Sequence, residues 1–158
     1  MLKPIHTLKS NTSMKKIGIF LIALLPALFI QAQGPSGDEA VRKVVTEAYI
    51  EGIQNLGNLD AVRKGFHPDF EMLMLRNGNL SKLPISEWLQ RLEQRKANPP
   101  AQSPPRVTGK FLAVDITGNA ATVKLELHRQ GRLIFTDYLS LYKFGDGWKI
   151  VSKTYQQH

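Results

Sequence analysis

The 158-residue chain has no cysteine. That excludes disulfides, thiolate metal centres and a lipid-modified N-terminal Cys, and leaves any folded domain to be held by its core alone. It has no glycine-rich phosphate loop and no Gly-x-Ser-x-Gly elbow, so two common routes to nucleotide binding and serine hydrolysis have no support. Its four histidines, His6, His67, His128 and His158, are too far apart for metal-ligand spacing, and no metal or cofactor is expected. Basic residues are not clustered with aromatics, which argues against nucleic acid as a partner.

The formal charge of +8 is partly local. Lys3, Lys9, Lys15 and Lys16 lie in the first 32 residues with no acid beside them, and the remainder carries 17 basic against 13 acidic side chains, or +4. Lys15 and Lys16 precede the apolar run from Ile17 to Ile30, followed by Gln31-Ala32-Gln33. This is the layout of a secretory signal peptide cleaved after Ala32, with Met14 as an alternative start. Pro26 interrupts the run and a Gly-Pro-Ser-Gly linker follows, so export to the periplasm or the exterior is expected rather than a stable membrane anchor. The expected organisation is a signal segment over 1–32, a linker over 33–37 and one domain over 38–158.

Ser36 and Glu39 form a capping-box pattern ahead of Val41, Val44, Val45, Ala48, Tyr49, Ile53 and Leu56 at helical spacing. Gly52 falls on the apolar side, where a missing side chain permits close approach. A second helix is expected from Leu59 to Phe66, ended by His67-Pro68. A hairpin from Phe70 to Arg76 and Leu80 to Leu83 follows around Asn77-Gly78, then a third helix from about Pro84 to Lys96 with Ile85, Trp88, Leu89 and Leu92 on one side. The proline-rich stretch Asn98 to Pro105 can only connect. From Arg106 onward the pattern is four antiparallel strands, the last two being the hairpin over Gly131 to Tyr155. Helices first and a meander second give an α+β fold with helices on one face of a curved, mainly antiparallel sheet.

On the long strand, Leu133, Phe135, Asp137, Leu139 and Leu141 alternate onto one face. Asp137 is therefore a carboxylate in an apolar row, either a general acid or base or a structural acceptor for Tyr49, Trp88 or His67. His67 could complete a proton relay with it, or close a helix end by bonding backbone. Asp69 is expected to cap a turn, and His128 to face outward. Ile134, Thr136, Tyr138, Ser140, Tyr142 and Phe144 make the other face, with the aromatic and hydroxyl character of a subunit contact.

Four segments carry a family resemblance: Gly65-Phe-His-Pro-Asp-Phe70, Val114 to Val123, Thr136-Asp-Tyr-Leu-Ser-Leu141 and Gly147-Trp-Lys-Ile-Val-Ser-Lys153. With them the chain resembles the nuclear transport factor 2-like superfamily, and within it the family called "putative lumazine-binding". The resemblance spans about Asp38 to Gln156. It implies a cone-shaped fold enclosing a pocket, and pairing of two copies through the outer sheet face. Asp137, Tyr49, Trp88, Phe135, Leu139 and Trp148 are then the expected ligand-binding residues, and Asp137 with His67 the catalytic candidates. Three functions stay open: an exported binder of a small apolar or aromatic ligand, an isomerase, dehydratase or cyclase using Asp137, and a dimeric accessory protein without a ligand. Ketosteroid isomerase, on the same fold, keeps a carboxyl in an apolar site to donate a hydrogen bond, and this sequence departs from its tyrosine-plus-acid layout.

Overall fold

The computed structural model describes residues 37–158. The expected signal segment, residues 33–36 of the expected linker and the Ser36 cap lie outside the described residues, and Gly37, expected in the linker, already belongs to a helix. Within them, no helix is long and apolar enough to cross a membrane.

The described residues begin with α1 (Gly37–Val44), which runs directly into a ten-residue π-helical segment (Val45–Gln54). The wider winding shows at its end, where Asn55 N–H donates to the Ile50 carbonyl five residues back, at 3.1 Å. α2 (Leu59–Gly65) is capped by the Asn58 side chain, which accepts from the Asp60 N–H at 2.8 Å. Gly65 ends it, one residue before the expected end, and Phe66 already belongs to β1 (Phe66–Arg76). That strand starts four residues earlier than the Phe70 expected from pattern, because its first residue is taken up in parallel pairing with a strand from the end of the chain. β2 (Asn79–Pro84) closes the expected hairpin, with Asn77 and Gly78 both at positive φ as an Asn-Gly turn requires. α3 (Ile85–Ala97) follows, and then β3 (Val107–Thr117), β4 (Ala120–Arg129), β5 (Arg132–Phe144) and β6 (Gly147–Gln157).

The six strands make one sheet in the order β2-β1-β6-β5-β4-β3, antiparallel except where β1 meets β6. The sheet is curved and unclosed, with β2 and β3 as its edges. Extra residues interrupt the ladders at Leu112 in β3, Ile134 in β5 and Val151 in β6. Such bulges bend the strand and add twist, so the sheet curls toward the helices. Each bulge also reverses which side chains point inward. At Ile134 this puts Leu133 opposite His128, out of the inward row that Phe135 begins, which corrects the expected face for Leu133.

The helices cover the concave side, and the core lies between them and the sheet. Tyr49, Phe66, Phe70, Leu125, Leu127, Leu139, Leu141 and Ile150 are fully buried there, each apolar side chain contributing about 1.5–3 kcal/mol. Gly52 does permit close approach, since a Cβ there would lie 2.5 Å from Val62 of α2. Gly65 brings α2 against the π segment even more tightly, its absent Cβ falling 2.3 Å from the Ala48 methyl.

Candidate functional site

Three polar side chains meet inside the apolar core. Asp137 on β5 is 0% exposed and Lys153 on β6 is 4% exposed. Tyr49, from the π segment, donates its hydroxyl to Asp137 Oδ2 at 2.6 Å. Lys153 Nζ stands 2.8 Å from Asp137 Oδ1, closing a buried ion pair.

The strand register explains the meeting. Asp137 faces Tyr155 and Leu139 faces Lys153, so all four share the inner face and Asp137 and Lys153 are diagonal neighbours. The lysine amine sits in a ring of aromatics, 4.2 Å from the Tyr155 centroid, 5.4 Å from Tyr49 and 5.9 Å from Phe135. Met72 Sδ lies 3.8 Å away. Phe135 and Tyr155 pack edge to face at 5.5 Å, and both are only partly buried. Behind Tyr49, Trp88 meets it edge-on at 6.3 Å and stacks on Phe70 at 6.2 Å.

Burial sets the proton affinities here. It pushes the Tyr49 phenol well above its usual range, and the Asp137 charge and hydrogen bond add to that, so Tyr49 stays a donor. Burial also pulls the Lys153 ammonium below the usual lysine range, with Asp137 acting in the opposite sense. An ammonium in this position is held charged by one carboxylate and three ring faces rather than by water.

Of the residues expected at a site, Asp137, Tyr49, Phe135, Leu139 and Trp88 are brought together. His67 is not with them. It lies in β1, its Nδ1 accepts from the Asp69 N–H at 3.2 Å, and its ring stacks on Phe144 at 4.9 Å. The relay from His67 to Asp137 is replaced by the backbone contact that was its alternative. Trp148 is also elsewhere: five residues before Lys153, roughly 16 Å along the strand, it lines an open cleft of about 180 Å³ with Lys43, Glu47, Lys64 and Asp146. His128 points outward, 3.2 Å from Glu126. Among the described residues no group of acidic or histidine side chains could hold a metal.

The family described as "Putative lumazine-binding" matches residues 36–156. The chain belongs to that family. Among solved structures it is similar to three NTF2-like proteins of unknown function. That from Shewanella baltica is 22% identical with a TM-score of 0.60, the match covering 75% of this chain and 91% of that one. That from Silicibacter pomeroyi is 20% identical at 0.59, covering 75% and 93%. That from Methylobacillus flagellatus is 21% identical at 0.56, covering 80% and 96%. These likenesses establish the NTF2-like fold. Among curated proteins, none matches the sequence.

Lys153 is the site residue that sequence reading passed over. Counting alternate positions on from the buried Trp148 and Ile150 sends Lys153 outward, and only the extra residue at Val151 turns it in. The available signal was indirect: a lone buried carboxylate demands a cation or donors, and Lys149 and Lys153 are the two lysines of the segment from Gly147 to Lys153.

Proposed function

We propose that this is a small-molecule binding domain whose ligand is a flat, mostly apolar heterocycle carrying an N–H next to a carbonyl, the edge that lumazine presents. The observation that carries the reading is the buried pair itself, the Asp137 carboxylate and the Lys153 ammonium 2.8 Å apart in an otherwise apolar interior. Such a pair offers an acceptor beside a donor. A ring N–H would donate to the carboxylate, while Lys153 donates to the neighbouring carbonyl and Phe135, Tyr155 and Trp88 provide ring faces. Phe135 and Tyr155, beside the lysine and only partly buried, would have to move aside to admit a ligand.

The test is titration of the full chain with lumazine, followed by calorimetry and tryptophan fluorescence. Saturable one-to-one binding is expected, weakened about ten- to hundredfold by Asp137→Asn, as loss of a charge-assisted hydrogen bond implies. Absence of binding, or equal binding by a folded Asp137→Asn variant, refutes it. Isomerase, dehydratase or cyclase chemistry is the weaker reading, since His67 bonds the Asp69 backbone rather than Asp137.

Two further parts of the reading concern assembly and location. The outer sheet face, with Tyr138, Tyr142, Leu75 and Leu80 exposed and both Lys124 and Asp115 nearby, suits a second copy related by a two-fold axis. Tyr138→Asp with Tyr142→Asp should then shift sedimentation to the monomer. The N-terminal segment directs export, which a periplasmic fractionation of tagged protein checks.

A further inference from the structure

We propose that Lys153 is a carbonyl-trapping nucleophile, condensing with a small aromatic aldehyde or ketone admitted to the core to form an imine. The proposal rests on the binding reading for access, and goes beyond it in making the contact covalent. Three observations lead to it. The amine is almost wholly withdrawn from water and ringed by Tyr155, Tyr49 and Phe135. Its charge partner, Asp137 Oδ1 at 2.8 Å, is placed to take and return its proton. The second oxygen of the same carboxylate is fixed by Tyr49. A lysine desolvated among apolar groups is the form in which this side chain attacks carbonyls, and burial lowers the proton affinity of this one.

The step balances with the groups present. Asp137 Oδ1 takes a proton from the Lys153 ammonium, freeing the nitrogen lone pair. That pair forms the C–N bond as the carbonyl π electrons move to oxygen. Oδ1 returns the proton to that oxygen, giving an N-protonated carbinolamine whose new O–H donates back to Oδ1. The nitrogen then gives one of its two protons to Oδ1, the hydroxyl leaves with that proton as water, and a protonated C=N remains, paired with the Asp137 carboxylate. Ammonium and carbonyl become protonated imine and water, with no oxidant or reductant. Tyr49, its phenol held protonated by burial, keeps Oδ2 occupied so that the shuttle runs through Oδ1 alone.

The experiment incubates the full chain with benzaldehyde near pH 7, adds borohydride to reduce any imine to a stable secondary amine, and maps benzyl groups by peptide mass spectrometry. The expected result is one benzyl group per chain on Lys153, at aldehyde concentrations that leave the exposed Lys43, Lys110 and Lys143 unmodified, and protection by lumazine. Lys153→Met should lose the adduct. Labelling confined to exposed lysines overturns the proposal, and the map on the unaltered chain decides it even if the variant fails to fold. If lumazine binds and Lys153 stays unlabelled, this inference falls while the binding reading stands. If neither occurs, both fall.

Discussion

Taking apart the ion pair between Asp137 and Lys153 should cost more than deleting it whole. Asp137→Leu leaves an ammonium in a ring of aromatics with no countercharge, and the Tyr49 hydroxyl without its acceptor. Lys153→Met leaves a carboxylate that is 0% exposed with Tyr49 as its one aligned donor. Breaking a buried pair in this way costs about 3–5 kcal/mol, and the ability of either survivor to shed or gain a proton puts each single change near the low end, about 3. The double variant removes both charges and orphans only the phenol, at about 2 kcal/mol. Additivity would give about 6, so the cycle should show about 4 kcal/mol of coupling. In the melting temperature each single change amounts to a fall of roughly 10 °C for a domain of this size. Urea unfolding at pH 7, followed by the fluorescence of Trp88 and Trp148, measures all four proteins. Single changes below about 1 kcal/mol that simply add would mean the pair behaves like a solvated surface contact, and the account of the interior given above would be wrong.

Tyr49→Phe should alter the alkaline limb of stability. The folded phenol pKa lies above its unfolded value, so its contribution is fully present below about pH 10 and is lost as pH rises through the folded value. Lys153, whose folded value is depressed, acts in the opposite direction, since stability rises with pH while the unfolded lysine still holds a proton that the folded one sheds. Thermal melts from pH 8 to 11 should therefore fall less steeply in Tyr49→Phe than in the unaltered chain; equal slopes refute the assignment. Gly65→Ala forces a methyl to 2.3 Å from the Ala48 methyl on a neighbouring helix, and overpacking of that kind should cost about 1–3 kcal/mol in urea unfolding. Deleting Val151 removes the β6 bulge, which should turn Lys153 to solvent and make its amine reactive toward ordinary acylating reagents, as a peptide map would show. His67→Ala, which removes only the contacts to Asp69 and Phe144, should leave lumazine affinity unchanged.

Most of the architecture was legible because it rests on periodicity. The four-strand meander, the Asn-Gly hairpin, the amphipathic third helix and the close approach at Gly52 all follow from spacing and backbone preference. The Tyr49 contact to Asp137 was legible as one of several acceptor schemes, because a buried carboxylate needs donors and the first helix offers few. What escaped were the places where one residue is added to a regular element. Bulges at Ile134 and Val151 reverse the inward set in mid-strand, and simple alternation therefore misplaced Leu133 and overlooked Lys153. Trp148 was grouped with the others because alternation gives the face of a residue but not its height along the strand. His67 was drawn toward Asp137 by chemistry alone, while the local Pro68-Asp69 backbone had the shorter claim on its ring.

The π-helical winding of Val45–Gln54 has a consequence of its own. Successive side chains on a helix are set about 100° apart, so shortening this segment by one residue, back to ordinary α winding, would swing the phenol away from the carboxylate while the flanking valines and isoleucines could still seat on the sheet. A single codon lost there would yield a domain of unchanged outline with a rewired interior, which makes this short coil the natural place to look when chains of the same shape handle different molecules.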